Sequence, residues 1–562
     1  MRVILLSLFF PLLCAAKVRL PALFSDHMVF QQMAGNPVWG WAEPKEKVTV
    51  KTSWGETHSE TAGEDGSWMV TVYTPKAGTG HKVTIQASNK IVLNNVAIGE
   101  VWLCAGQSNM GWSTGNSFEA EKETKVDLPH FRIFRSAREH WHEPLEENRD
   151  RLARWKPCDP KSAAETSAVS YYFGKKLHQA LGVPVGIIQR AYAGTPIEGW
   201  MPWDVQKDDP RAQAHKRGYD EVSKRMIARG GLSKEKALAG FDKELAEYNA
   251  KIDRGETMKN QFKPLAPPII TKPADLGHQY PAHIYNAMIA PVRPYAIRGM
   301  IWYQGERNAK NAPQAEHYSH QLGKMISHFR SSWHNESWGA VSDGFPVYFT
   351  QLPSWNPPQS KPVEGPESPW AVSRESMRKV SLGLYNTGMA VTIDTGDAVE
   401  LHPKNKKPIG LRHAYLALGK TYGLPIVHEG PVLTKHEAKG GKIILSFDSV
   451  GSGLMPARKG KLDAFALAGE NREWHWANAK IEKGSIVLSS PEVKKPVAAR
   501  YAWAMNPSKR NLLYNKEGFP ASPFRTDDWP LYDPVAELIE VHKPQKPKGY
   551  QSKDWVRPEI TE

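Results

Sequence analysis

Cysteine is scarce, with three in 562 residues. There is no CxxC pair and no Cys/His cluster at ligand spacing, so a structural zinc site is excluded and neither metal nor organic cofactor is expected. A dense disulfide framework is excluded as well. Long hydrophobic runs are also missing: none reaches the roughly 20 apolar residues a membrane-spanning helix needs, so no membrane insertion is expected. The most apolar stretch, Val3 to Leu13, follows Arg2 and precedes Cys14, Ala15 and Ala16. A positive start, a short hydrophobic run and small residues predict a signal peptide over residues 1–16, and so export to the periplasm or the extracellular space. Cleavage there leaves Cys104 and Cys158, which either pair or remain buried thiols. Repeats of fixed period and low-complexity tracts are absent. The formal net charge is +14, but Lys and Arg are dispersed and no nucleic-acid motif accompanies them, so nucleic acid is not an expected partner.

A chain of this length holds two or more folding units. Over residues 17–98, short runs rich in Val, Thr and Trp alternate with turns such as Asn36-Pro37 and Glu64-Asp65-Gly66, which predicts a β-sandwich. Residues 99–429 read differently. Apolar runs at Glu100–Ala105, Val183–Gln189, Ile297–Gln304, Pro346–Gln351 and Met389–Asp394 have the continuous hydrophobicity of buried parallel strands. Helices are predicted from Ser167 to Leu181, stopping at Gly182, and from His402 to Leu418, stopping at Gly419. The alternation implies an α/β domain: an open, mostly parallel sheet with helices on both faces. Within it, about residues 206–272, Leu238, Phe241, Leu245, Tyr248 and Ile252 recur at helical spacing, and packing on the rim accounts for them. From 430 to 562 the β pattern returns as a second predicted sandwich, with Lys442–Phe447, Ala464–Ala468, Ile486–Ser489 and Val497–Trp503 as strands.

In such a sheet, reacting groups collect where the strands end. The first strand leads to Ser108, the second to Gly194, the third to Gln304, Gly305 and Glu306, and the last to Glu400 and His402. Acyl transfer needs a nucleophile, a base and donors for the oxyanion. Ser108 is the candidate nucleophile and His402 the general base. The backbone N–H groups of Ser108 and Gly194 are candidate oxyanion donors, with the Gln304 amide as a third donor and Asn308 as its alternative. Each residue alone has an ordinary reading, as a cap, a turn glycine or a core amide. Met110 stands where the GxSxG elbow has its second glycine, which argues against the common α/β-hydrolase fold.

The stretches Gly99–Met110, Gly194–Trp200, Ile301–Glu306 and His402–Lys406 together resemble the sialate O-acetylesterase family of the SGNH hydrolase superfamily. Similar texture at Tyr285–Pro291, Leu23–Val29 and Gly518–Phe524 extends the resemblance over nearly all of the chain. It implies a three-layer α/β/α hydrolase domain, a serine esterase passing through an acyl-enzyme, and an O-acetylated carbohydrate as substrate. Acetylxylan or another acetylated polysaccharide is the alternative substrate. The resemblance puts the family's nucleophile on Ser108, its base on His402 and its oxyanion glycine on Gly194. SGNH enzymes usually place an aspartate three residues before the histidine, and here Val399 stands there. Glu400 is the candidate orienter of His402, with a Ser-His dyad, Asp397 and Asp394 as alternatives. Arg307 departs from the small polar residue expected before Asn308, and its guanidinium suits an anionic sugar carboxylate if it is not a surface ion pair. Two readings from other classes compete: a catalytically inactive carbohydrate-binding protein, and a glycosidase working through Glu306 and Asp394.

Overall fold

One strand serves two sheets. Lys90–Gly106, here β1, alternates between exposed and buried residues in its first half and is buried without interruption from Val96 onward. The first half pairs with Gly78–Gln86 and Val29–Gln31 of the N-terminal β region, and the second half lies at the centre of a parallel sheet. A strand with one wet face alternates, whereas one covered on both faces cannot. The computed structural model describes residues 17–260, 263–536, 538–546 and 548. The segment read as a signal peptide lies outside the described residues.

The central sheet continues with β2 (Leu128–Arg135), β3 (Arg154–Cys158), β4 (Val185–Ala191), β5 (Gly299–Tyr303), β6 (Val347–Thr350) and β7 (Thr387–Ala390), in the order β7-β6-β5-β1-β4-β2-β3. All neighbours are parallel except β3, which runs antiparallel to β2. Six further helices matter for the site: α1 (Ala168–Leu181), α2 (Pro210–Ala228), α3 (Lys234–Asp253), α4 (Ala312–Glu336), α5 (Pro369–Gly383) and α6 (Lys407–Leu416). The Ser167 hydroxyl accepts the Ser170 N–H to start α1, and Gly182 ends it at φ 66°. Successive side chains of β1 face opposite layers. Val101, Leu103 and Ala105 share a core with Tyr318 and Leu322 of α4 and Met377 of α5, while Trp102 and Cys104 share one with Phe173 of α1 and Ile409 of α6. The molecule is thus a mixed α/β protein with a mostly parallel central sheet covered on both sides. Truncating a fully buried tryptophan such as Trp102 to alanine costs about 3–5 kcal/mol.

Several expectations are corrected. The helix after His402 begins only at Lys407, with Pro408 in its first turn, because residues 402–406 form a loop at the sheet edge. It passes Gly419 in a π-helical turn, Ala417–Thr421. The last parallel strand sits at Thr387–Ala390, since the chain beyond it folds back so that buried Asp394 meets Arg412. Cys104 and Cys158 are both free and buried, and burial pushes each thiol up to about 12. The stripe from Leu238 to Ile252 lies on α3, where Phe241 packs against Trp141 with ring centroids 4.7 Å apart. Beyond the central sheet, two four-stranded β groups in the C-terminal region share a core of their own, including Ile443, Leu467, Tyr501 and Phe524.

Candidate active site

Parallel strands deliver their carboxyl ends to one edge, and the register aligns three of them closely. Gly106 of β1 pairs with Ala191 of β4 on one side and Tyr303 of β5 on the other. Ser108, Gly194 and Gln304 therefore leave the sheet side by side. Gly106 has φ 149°, and a Cβ there would stand 2.1 Å from the Tyr303 carbonyl oxygen, so only glycine lets β1 turn against β5. Ser108 opens a one-turn helix immediately afterwards.

His402 Nε2 lies 2.8 Å from Ser108 Oγ. Trp112 lies flat against the imidazole, with centroids 5.5 Å apart and planes 17° apart. Burial, reinforced by the positive charges of Lys406 and Lys543, pushes the His402 imidazole down to about 4, with Glu400 acting in the opposite sense. The ring is therefore neutral at physiological pH, the form in which Nε2 accepts the serine proton.

A buried polar chain joins the two residues' supports. Asn109 Nδ2 donates to Glu306 Oε1 at 2.5 Å and to the Leu401 carbonyl at 3.2 Å, and Lys406 Nζ donates to Asn109 Oδ1 at 2.5 Å. Asn109 and Lys406 have no solvent exposure. The Phe118 N–H also donates to the Lys404 carbonyl at 3.1 Å. The loop bearing His402 is thus tied by three hydrogen bonds to the chain that follows Ser108. Burial raises the Glu306 carboxyl, opposed by its bond from Asn109 and the charge of Lys406.

Residues 98–240 and 268–385 match the model of a carbohydrate esterase family, the sialic acid-specific acetylesterases. The chain is 26% identical to the sialate O-acetylesterase of Mus musculus over 543 residues, covering 90% of this chain and 94% of that one. Against the human sialate O-acetylesterase it is 24% identical, over 90% and 92% of the two chains. Among solved structures, a carbohydrate acetylesterase from Xanthomonas citri is 30% identical, matches 91% of this chain and all (100%) of its own, and superposes with a TM-score of 0.73. The chain belongs to the sialic acid-specific acetylesterase family. The matched family segments contain Ser108, Gly194, Arg307 and Asn308, whereas His402 lies beyond them.

Within this acetylesterase family member the remaining candidates separate. Gln304 is fully buried and both of its amide hydrogens are taken, one by the Thr195 carbonyl at 3.2 Å and one by Asn308 Oδ1 at 2.8 Å. Its own carbonyl accepts the Tyr318 hydroxyl at 2.8 Å. Gln304 is a fastening between loops and has no hydrogen left for an oxyanion, which corrects the sequence assignment. Asn308 gives one Nδ2 hydrogen to Glu198 at 2.9 Å and receives the Ile197 N–H at 2.9 Å. Asp394 is eliminated as the orienter, because Arg412 grips both of its oxygens and Tyr514 donates to one of them. As a buried half of an ion pair it is equally unsuited to the glycosidase role. Asp397 Oδ1 accepts the N–H groups of Val399 and Glu400, bending the chain toward His402. Glu400 pairs with Lys546 of the C-terminal tail.

Among the described residues Arg307 makes no ion pair but donates to Gln279 Oε1 at 3.0 Å, and Gln279 Nε2 donates to the Gly194 carbonyl at 3.0 Å. Gly194 has φ 73°. Tyr219 and His215 of α2 also bond to Gln279. The helical insertion, read as rim packing, thus buttresses the glycine turn. Sequence reasoning missed Trp112, Asn109, Lys406 and Gln279. The first three stand within the quoted family stretches or two residues beyond them, which was the available signal, and Gln279 carried none.

Proposed function

We propose that this protein is a carbohydrate O-acetylesterase that releases acetate from O-acetylated sugars, sialic acid foremost, through a covalent acetyl-serine. The Ser108–His402 hydrogen bond of 2.8 Å carries the reading, because it pairs a hydroxyl with a neutral imidazole at a parallel-sheet edge in a chain of this family. As Ser108 Oγ attacks the acetyl carbonyl, His402 Nε2 takes its proton. The tetrahedral oxyanion is held by the N–H groups of Ser108 and Gly194 and the second Nδ2 hydrogen of Asn308. Its collapse expels the sugar oxygen, which leaves with the proton from His402. Water then attacks the acetyl-serine by the reverse proton path, releasing acetate and restoring Ser108.

His402 is oriented by its bond to Ser108, the face of Trp112 and the tethered 401–404 loop, with Glu400 favouring the imidazolium electrostatically. That is a Ser-His dyad with a nearby carboxylate. Arg307 is the candidate contact for a sugar carboxylate, held by Gln279 beside the glycine turn. Export, as the N-terminal run suggests, brings the enzyme to extracytoplasmic glycans. The test is acetate release from O-acetylated sialic acid and from acetylated xylan, with reducing sugar measured in parallel. Acetate without new reducing ends supports the reading, and absence of acetate from both substrates refutes it.

A further inference from the structure

The edge of the sheet opposite Ser108 carries a recess. A cavity of about 1020 Å³ opens beside the starts of β5, β6 and β7, where the chain passes through Arg298, Pro346 and Asn386 just before those strands begin. In a parallel sheet these starts are a full strand length from the carboxyl ends that bear the nucleophile.

Four large side chains on its walls are left in water: Trp338 is 67% exposed, Tyr385 77%, Tyr73 61% and Met33 66%. Single exposed hydrophobes are ordinary, but four around one recess, three of them aromatic, form a patch of the kind that marks a binding surface. The loops bearing the rings are fastened. The Val341 N–H donates to Ser337 Oγ at 2.9 Å, Arg330 donates to the carbonyls of Phe345 at 3.0 Å and Asn386 at 2.9 Å, and Asn386 Nδ2 donates to the Gly344 carbonyl at 2.8 Å. Trp338 itself has φ 53°, a conformation costly for a bulky residue, which the surrounding bonds hold in place. The backbone that carries Trp338 and Tyr385 is therefore held in place before a ligand arrives.

The rest of the lining selects among ligands. Charge is sparse and mixed: the guanidinium of Arg298 is neutralised by Glu100, leaving Lys420 against Asp343. A polyanion finds no cationic track there. Ser342, Asn386 and Thr421 set hydroxyl and amide groups among the exposed rings, as suits a ligand with both apolar faces and hydroxyls. A chain of pyranose units has that character, since its axial C–H faces stack on aromatic rings while its equatorial hydroxyls seek polar partners.

We propose that this recess is a binding site for a neutral polysaccharide chain, on the opposite edge from the esterase site and independent of Ser108. Holding a polymer there raises the local concentration of its acetylated units at the other edge. The inference goes beyond the esterase reading and can be tested without it.

The experiment uses the full chain, with acetyl-free cellohexaose and xylohexaose as probes in calorimetric titrations. The wild-type protein is expected to bind at least one of them, and the Trp338→Ala/Tyr385→Ala variant about tenfold or more weakly, the loss of two stacked rings. Hydrolysis of p-nitrophenyl acetate by that variant should equal wild type, which also verifies its folding. Binding of neither probe by wild type, or equal binding by both proteins, overturns the proposal. So does a wild-type dimer that the double substitution dissociates with no sugar bound, which makes the recess an interface between copies.

Discussion

Lys406 Nζ donates to Asn109 Oδ1 at 2.5 Å in a pocket without solvent exposure, so the loop of the proposed base is bonded to the residue after the proposed nucleophile. Neither residue is assigned a proton-transfer role; the bond fixes distance. Replacing Asn109 by alanine removes its bonds to the Leu401 carbonyl, Glu306 and Lys406 and so loosens the 401–406 loop. Misplacement on the order of 1 Å costs about a hundredfold in rate. Asn109→Ala should therefore lower kcat on p-nitrophenyl acetate by about that factor while KM changes little. An unchanged kcat would remove Asn109 from the account.

The pH dependence follows from the lowered His402. With the imidazole near 4 in the free enzyme, kcat/KM should climb through pH 4 and stay level across neutrality, well below the limb near pH 6.5 that an unperturbed histidine gives. Lys406 is one cause of the lowering, so Lys406→Met should move the limb to higher pH. Trp112→Ala should do the same by admitting water to the ring face. Limbs that coincide in all three proteins would mean that another group controls the profile.

Gln304 yields a prediction about stability. Changing it to leucine removes three buried hydrogen bonds, to the Thr195 carbonyl, to Asn308 Oδ1 and from the Tyr318 hydroxyl, while Asn308 Oδ1 keeps the Ile197 N–H and Tyr318 keeps the residue-304 backbone carbonyl. Each lost bond costs about 0.5–1.5 kcal/mol. The urea midpoint of Gln304→Leu should fall clearly below that of wild type, whereas Ser108→Ala should leave it nearly unchanged. Equal midpoints for all three would return Gln304 to the list of free donors.

What the sequence disclosed divides along physical lines. The buried strands of the central sheet were legible because a strand covered on both faces reads as a continuous apolar run, as Val101–Ala105 and Gly299–Tyr303 do. Strands β2 and β3 were not, since Arg132, Arg135 and Lys156 interrupt them. Arg132 is nevertheless buried, its guanidinium donating to the carbonyls of His27, Met28 and Asn95, which no local pattern foretells. Ser108 and His402 were recognisable from motif and strand end. The engagement of Gln304 was not, because one of its acceptors, the Thr195 carbonyl, arrives from a distant part of the chain. Lys543 and Lys546 reach the site by tertiary folding alone.

His413 gives the acid limit of the fold. It is fully buried, its Nε2 meets Thr350 Oγ1 at 2.7 Å, and burial pushes it down to about 3. The unfolded chain takes up this proton near pH 6.5, before the folded one can. Its contribution is therefore intact above that pH and is lost as pH falls, at about 1.4 kcal/mol per pH unit, until the folded value is reached. His413→Gln should flatten the fall in urea midpoint between pH 7 and pH 5. An unaltered slope would assign the acid sensitivity to other buried groups, such as His283 and His328.

The most direct test of the account compares acetate release by wild type and Ser108→Ala on O-acetylated sialic acid and on p-nitrophenyl acetate. The account predicts an active wild type and a loss in kcat on the order of a thousandfold or more in the folded variant, as when an activated nucleophile is removed. Wild-type rates in Ser108→Ala, or no acetate from either protein on either ester, would contradict it.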